Sequence, residues 1–514
     1  MQPQNPAYHA LQLHPVCHLL ADSVFALLVC LRPIHQQIEA PTEVPERFCS
    51  GGKLCVLRLV GLAVFTPHRL HLILLVGQRD TDAKGCNPIR YDFNGGGKDA
   101  DYQLVRKRQK WIATANIVLN LLILAVFKYY DFFVTEFAQL FHISTEGLLL
   151  KVILPVGISF YTFQALSYSI DVYRGKIEPT KDVVAFFAFI SFFPQLVAGP
   201  IERATNLLPQ FLKKREFDYD TAVDGMRQIL WGLFKKIVVA DNCAVYVDQV
   251  FSSYTEQSGS TLLLAAIFFT FQIYGDFSGY SDIAIGTAKL FGIKLMRNFN
   301  VPYFSRDIAE FWRRWHISLT TWFRDYVYIP LGGSRVSKAK VVRNTFVIFL
   351  LSGFWHGANW TFIAWGAYHA VLFLPLILTG KNRKYTNQVA EGRILPTFKE
   401  LGQMLLTFFL AVIGWIIFRA ESIGQAWEYM HGMMQLGTLR ASYRFFIEYY
   451  VVDKSIYVII MLLIEWLNRT HNYEFEGIKA ASKWIRLLAY CIIAMLILIN
   501  IPLNGSMNFV YFQF

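Results

Sequence analysis

The chain consists of long runs of apolar residues separated by short charged segments. Several runs reach the roughly 20 residues that a helix needs to cross a bilayer. The pattern therefore predicts an all-α, polytopic membrane protein with about ten or more transmembrane or re-entrant helices. The apolar runs lie near 112–127, 152–172, 183–199, 228–247, 261–275, 344–352, 358–379, 402–418, 455–466 and 485–502.

Composition and charge indicate the same class of protein. Only 17% of the residues are charged, whereas soluble domains carry about 25%. The net charge is +12, but the basic residues form short runs beside apolar blocks, as at 106–110 and 381–384. Such runs are typical of cytoplasmic loops, so we expect membrane lipids rather than nucleic acid as partners. The seven cysteines show no paired metal spacing, so no metal site is predicted.

The first 105 residues differ from the remainder of the chain. They contain five of the seven cysteines and six of the twelve histidines. The segment 94–101 (NGGGKDAD) has the composition of a linker. We predict an atypical N-terminal segment at 1–105, either a divergent domain or the result of a wrong start or shifted reading frame, and a membrane domain at 106–514. No function is assigned to residues 1–105.

An aromatic helix face that includes a histidine is predicted between residues 305 and 333. Ser305 and Asp307 suit a helix start, and Pro330 suits a stop. Because the reverse side is basic, the helix is expected at the membrane interface or at the mouth of a membrane cavity. The histidine is either a hydrogen-bonded packing residue or a functional group. The face comprises Trp312, Trp315, His316, Leu319, Trp322, Phe323 and Tyr326.

A second histidine, His356, lies in a run without Asp, Glu, Lys or Arg from 344 to 380. A continuous helix of that length would measure about 55 Å, against about 30 Å for the hydrocarbon core. We therefore expect a break in SGFWHGANW (352–360), with His356 facing a cavity because irregular backbone is not tolerated in lipid. Buried and neutral, His356 could act as a general base or bond to a freed backbone carbonyl. Asn359 could orient its ring or polarise a carbonyl if the segment is helical.

Two acidic residues lie within or beside an apolar stretch. Asp276 and Asp282 belong to QIYGDFSGYSDIAIG (272–286). Intramembrane acids mark ion paths, but they also cap broken helices or pair with arginines. A transporter or flippase that moves a polysaccharide or a lipid-linked unit is therefore an alternative function, with these acids as substrate or proton sites.

Five ordered motifs carry a resemblance that covers roughly residues 101–514. They are SFFPQLVAGPIERA (191–204), QIYGDFSGYSDIAIG (272–286), RNFNVPYFSRDIAEFWRRWHISLTTWFRDYVYIPLGG (297–333), GFWHGANWTFIAWGAYHA (353–370) and NFVYFQF (508–514). With these motifs the chain resembles the membrane-bound O-acyltransferase family, in particular its bacterial branch for alginate and peptidoglycan O-acetylation. The resemblance implies helices around a central cavity, in the bacterial cytoplasmic membrane.

The resemblance also implies a reaction and roles for individual residues. His356 matches the near-invariant histidine of the family, and His316 matches the second histidine of this branch. Acetyl-CoA would be the cytoplasmic donor substrate, with no bound cofactor. The acetyl group would pass to a separate extracytoplasmic transferase of SGNH-like or alginate type, which modifies a polysaccharide acceptor. A catalytically silent scaffold is a third possible function.

Other residues are predicted to support these two histidines. Trp315 and Asp276 are supporting candidates beside Asn359. Tyr511, in the C-terminal aromatic motif, either relays the acyl group or anchors the end of the chain at the interface. The guanidinium groups of three arginines either meet the phosphates of CoA or anchor a cytoplasmic loop; they are Arg313, Arg314 and Arg324.

Overall fold

A computed structural model describes residues 100–152, 154–155, 157–435 and 451–502, and this part of the chain is helical without strands. The predicted all-α fold is confirmed. Residues 1–99 and Tyr511 lie outside the described residues. The α-helices are α1 (Ala100–Leu140), α2 (Ile158–Tyr173), α3 (Val183–Ile190), α4 (Phe193–Leu196), α5 (Ala204–Leu212), α6 (Tyr219–Leu233), α7 (Asp241–Ser252), α8 (Gly259–Leu290), α9 (Ile308–Arg314), α10 (Ile317–Phe323), α11 (Lys338–His356), α12 (Trp360–Leu378), α13 (Phe398–Arg419), α14 (Ile423–Met433), α15 (Val451–Leu467) and α16 (Lys483–Asn500). Two π-helical segments follow α6 and α10, at Phe234–Ala240 and Arg324–Tyr328.

Five helices in the described part of the chain are long and apolar enough to cross a membrane. Their side chains differ in burial: α8 is largely enclosed by protein, whereas α1 and α16 are mostly exposed. Exposed apolar helices are expected where lipid takes the place of water. The five segments are Arg106–Leu140, Gly259–Leu290, Trp360–Leu378, Phe398–Arg419 and Lys483–Asn500.

Contacts between Cα atoms divide the chain into two compact units. In its described part, the first comprises 100–130, Leu149–Val197 and Glu202–Glu216. Within it, the carboxylate of Asp182 accepts a hydrogen bond from the backbone N–H of Ala185 at 2.9 Å and begins α3, as acidic N-caps commonly do.

The second unit comprises Asp131–Leu148, Ala198–Ile201 and the chain from Phe217 onward. Its buried helix α8 packs directly against the backbone of α6. A Cβ atom on Gly232 would lie 2.6 Å from the carbonyl oxygen of Gly279, and one on Gly279 would lie 2.7 Å from that of Gly232. Glycine at both positions therefore permits the close approach.

The continuous helix expected over 305–333 is interrupted. It begins as predicted, with the Asp307 side chain capping α9 through the backbone N–H of Glu310 at 2.7 Å. It then breaks at Trp315–His316, where His316 has the left-handed backbone conformation (φ 44°). The break follows from long-range pairing, because Ile317 N–H donates to the carbonyl of Asn298 at 2.8 Å.

Candidate active site

The predicted break in the uncharged run is confirmed between His356 and Trp360. Helix α11 ends at His356, Gly357 is extended, and α12 begins after the N-cap residue Asn359. The run is thus divided between two 19-residue helices, the first of which begins before it at Lys338. The catalytic candidate His356 lies at the end of the first.

Glycines allow the two helices to pack backbone against backbone. A Cβ atom on Gly353 would lie 2.2 Å from the carbonyl oxygen of Phe362, and one on Gly366 would lie 2.4 Å from that of Phe349. Real Cβ atoms do not approach other atoms this closely. These positions therefore fix the end of α11, and with it the backbone of His356.

The His356 imidazole is half-buried among aromatic rings. Its ring centroid lies 4.8 Å from that of Trp355, 5.2 Å from that of Trp365 and 5.2 Å from that of Phe418. The planes are nearly perpendicular, an arrangement that aromatic rings favour. The ring is therefore held by other side chains and does not point wholly into lipid or water. A solvated passage that reaches His356 remains a prediction.

Asn359 has a local structural contact of its own. Its Oδ1 accepts a hydrogen bond from the backbone N–H of Thr361 at 3.0 Å, and its Nδ2 donates to the carbonyl of Glu421 at 2.9 Å. The backbone of Asn359 is extended, so the helical geometry assumed for orienting the ring is not present. The side chain caps α12 and connects it to the segment that follows α13.

His316 is brought to the same aromatic cluster from a distant part of the sequence. Its side chain is 1% exposed, and the ring lies 4.7 Å from Phe277 and 6.2 Å from Trp355, centroid to centroid. Burial lowers the pKa of His316 from 6.5 to about 3, so the ring is neutral. The Trp355 indole thus contacts both histidine candidates.

A third histidine, His369, extends the cluster. The indole N–H of Trp312 donates to its Nδ1 at 3.3 Å, and the Trp365 ring lies 5.0 Å from it, centroid to centroid. Trp365 therefore contacts both His369 and His356. Sequence reasoning did not single out His369, although it lies in the same uncharged run, four residues after Trp365. The predicted supporting residue Trp315 is also buried, 4.7 Å from the Trp415 ring.

The three candidate arginines have different surroundings. Arg313 donates to the carbonyls of Asn382 and Tyr385 at 2.8 and 2.6 Å, so it anchors the segment between α12 and α13. Arg314 is buried and forms an ion pair with Glu310 at 2.9 Å. Both guanidinium groups are thus engaged with protein atoms, and their roles towards CoA or a cytoplasmic loop stay predictions. The side chain of Arg324 is 57% exposed and pairs with neighbouring Asp325.

Comparison with known proteins assigns the chain to a family. A sequence model of the "MBOAT, membrane-bound O-acyltransferase family" matches residues 180–407. "Probable alginate O-acetylase AlgI" of Pseudomonas aeruginosa is 42% identical over 341 residues, which cover 66% of this chain and 62% of that protein. "Peptidoglycan O-acetyltransferase" of Helicobacter pylori is 33% identical over 442 residues, 77% of this chain and 81% of that protein. "Teichoic acid D-alanyltransferase" of Bacillus subtilis is 30% identical over 280 residues, 52% and 69%.

The chain belongs to the membrane-bound O-acyltransferase family. It spans 62–64% of the length of the first three alginate relatives. The family match includes His316, His356 and His369 together with Trp355 and Trp365, whereas Phe418 lies beyond it.

The two acidic candidates of this family member pair with consecutive lysines. The Asp276 carboxylate lies 2.6 Å from the ammonium of Lys236, and Asp282 forms an ion pair with the fully buried Lys235. The π-helical segment Phe234–Ala240 carries both lysines. The carboxylates are therefore balanced by neighbouring positive charge, which burial requires.

A polar cavity lies behind the His316 segment. Asn298, whose Oδ1 is 3.0 Å from His316 Nδ1, lines this cavity. The charged side chains that line the cavity are thus close to Asn298, the hydrogen-bonding partner of His316. Its charged lining residues are Lys235, Asp282, Arg297 and Glu474. Among the described residues, no three His, Cys, Asp or Glu side chains are grouped as metal ligands.

Proposed function

We propose that the chain passes an acetyl group from acetyl-CoA across the membrane for the O-acetylation of an extracytoplasmic polysaccharide. The observation that carries the proposal is the contact of one indole, Trp355, with both motif histidines, His316 and His356. The names of the alginate and peptidoglycan relatives support acetyl transfer to a polysaccharide. The location would be the bacterial cytoplasmic membrane.

The chemical step assigns the proton to His356. The neutral imidazole takes the proton of an acceptor hydroxyl while the oxygen attacks the thioester carbonyl. A C–O bond forms, the C–S bond breaks, and the CoA thiolate leaves and takes the proton from the His356 imidazolium, which becomes neutral again. General-base catalysis of this kind contributes about 10²–10⁴-fold. His316, which also contacts the Trp355 indole, would orient the donor or the acceptor.

Donor binding and acyl transfer involve other groups in this proposal. The exposed Arg324 guanidinium is the arginine best placed to meet a CoA phosphate, since Arg313 and Arg314 are engaged with protein atoms. A separate transferase of SGNH-like or alginate type would receive the acetyl group outside. Tyr511 remains a candidate for an acyl relay.

The proposal is tested with purified protein reconstituted in vesicles and supplied with radiolabelled acetyl-CoA. His356→Ala is expected to lower acetyl transfer by about 10²–10⁴-fold while the protein remains folded and inserted. His431→Ala is the matched control, because His431 is exposed on α14 and outside the aromatic cluster. Full transfer by the His356 variant would remove the general-base assignment.

The same preparation separates the alternative functions. Normal acetylation together with altered polymer export in the His356 variant would favour a transporter. Absence of acetyl transfer by the unaltered protein, with its partner transferase still recruited, would favour a silent scaffold.

A further inference from the structure

The side chain of Asn298 is surrounded by hydrogen-bonding partners. Its Oδ1 lies 2.8 Å from Ser318 Oγ, 3.3 Å from the backbone nitrogen of Ser318 and 3.0 Å from His316 Nδ1. Its Nδ2 donates to Ser281 Oγ at 3.1 Å. Asn298 is fully buried, so these contacts define its orientation.

The contact with the Ser318 backbone determines which atom of the amide faces His316. A backbone N–H can only donate a hydrogen bond, so the Asn298 atom opposite it must be the carbonyl oxygen. That same oxygen faces His316 Nδ1, and an amide oxygen can only accept. His316 Nδ1 therefore carries the proton. In a neutral imidazole the other nitrogen, Nε2, is then an unprotonated acceptor.

The acceptor so created has no partner within the described structure. His316 Nε2 is buried and makes no hydrogen bond to the described residues. Buried polar groups in native proteins are nearly always paired, and each exception calls for an explanation. His316 also has a left-handed backbone (φ 44°), and Val301, near Asn298, has one as well (φ 41°). Backbone strain of this kind is concentrated at functional sites.

We infer that Asn298 is a positioning residue that holds His316 in the Nδ1–H tautomer, so that its bare Nε2 can accept a hydrogen bond from a substrate hydroxyl and orient it. The inference rests on the proposed acyl transfer. It extends that proposal by giving His316 a defined tautomer, in which Nε2 is the acceptor available to the substrate. It also gives a role to an asparagine that lines the polar cavity with Lys235, Asp282, Arg297 and Glu474.

Asn298 also supports the backbone, and the experiment must separate the two roles. Its carbonyl accepts from Ile317 N–H, and its Oδ1 bonds the backbone of Ser318 at the start of α10. A loss of activity in Asn298→Leu alone would thus have two explanations. Asn298→Asp keeps an oxygen acceptor for both Ser318 and His316. It adds a negative charge beside the imidazole, which favours the imidazolium form.

The test combines a pH–rate profile with ¹⁵N NMR of histidine-labelled, reconstituted protein. For the unaltered protein we expect His316 resonances of the Nδ1–H tautomer. For Asn298→Asp we expect the acidic limb of the profile to move to higher pH by about one pH unit or more. Ser281→Ala, which removes only the partner of Nδ2, is the control and should leave the tautomer and the acidic limb unchanged.

The outcomes distinguish this inference from the proposed function. An Nε2–H tautomer in the unaltered protein, or an unmoved acidic limb in a folded Asn298→Asp variant, would overturn the inference. Full transfer by His316→Asn would instead remove His316 from the reaction and thereby overturn the inference through its premise. Asparagine suits that substitution because it tolerates the left-handed backbone.

Discussion

Replacing Gly353 with alanine should separate helices α11 and α12. The added Cβ would lie 2.2 Å from the carbonyl oxygen of Phe362 and 3.0 Å from its carbonyl carbon. Since a carbon–oxygen contact needs about 3.3–3.6 Å, the backbones must part by about 1 Å. A radial gap of that size forfeits about a quarter to a half of each dispersion contact across the interface.

The expected net effect is a loss of about 1–3 kcal/mol in the free energy of unfolding, the usual range for overpacking. It should fall in the upper part of that range because the obstacle is backbone, which cannot rotate away. The helix propensity of alanine offsets at most about 1 kcal/mol. Gly357→Ala should cost less, because its Cβ would meet the ring of Phe362, and a side chain can move.

Chemical unfolding in mild detergent, followed by tryptophan fluorescence, measures these differences. Gly402→Ala is the matched control: Gly402 lies in α13, and an added Cβ there would meet nothing within 4 Å. It should stabilise the protein by about 0.5–1 kcal/mol. Acetyl transfer should fall in Gly353→Ala, since the end of α11 carries His356. If Gly353→Ala proved as stable as the unaltered protein, the account of backbone contact between the two helices would be refuted.

Three further predictions concern a buried ion pair, a buried histidine and an arginine that holds a loop by hydrogen bonds. Lys235→Met should destabilise by at most about 3–5 kcal/mol, because it removes the ammonium partner of Asp282, whose carboxylate is 13% exposed and keeps, among the described residues, only the hydrogen bond from Gln228. Lys235→Met with Asp282→Asn should recover part of that loss in the same unfolding assay, and equal losses would contradict the pairing. His316 has a lowered pKa in the folded protein, so its contribution to the free energy of unfolding should be lost as the pH falls from 6.5 towards 3, by about 1.4 kcal/mol per pH unit. The difference in unfolding free energy between His316→Asn and the unaltered protein should change by this amount across that range. A constant difference would contradict the prediction. Arg469 donates to the carbonyls of Val389 and Ala390 at 3.0 and 2.9 Å, so Arg469→Ala should speed proteolysis between residues 386 and 396. Arg393→Ala removes a half-exposed ion pair and should change the free energy of unfolding by at most about 1 kcal/mol. Equal protease sensitivity in both variants would contradict the view that Arg469 holds this loop.

Local sequence signals predicted the features that depend on local geometry. The break after His356 follows from run length and glycines, and the start of α9 follows from the capping residue Asp307. The interruption at His316 was not predictable, because it depends on a hydrogen bond from Ile317 to Asn298. Periodicity identifies a face, but it carries no information on a partner that is distant in sequence. The role of Asn298 was missed for the same reason.

The position of each candidate histidine at a helix boundary has a physical cause. His356 ends α11, and His316 lies between α9 and α10. At such a boundary, backbone groups are not all used within a helix, so side chains such as Asn298 and Asn359 are drawn in to bond them. One of them, Asn298, also lies 3.0 Å from Nδ1 of His316 through its Oδ1. Long-range pairing and glycines thus impose an irregular backbone at these positions, and this backbone brings in polar groups that can orient a buried imidazole. A continuous helix through the same apolar surroundings would leave the imidazole without such partners.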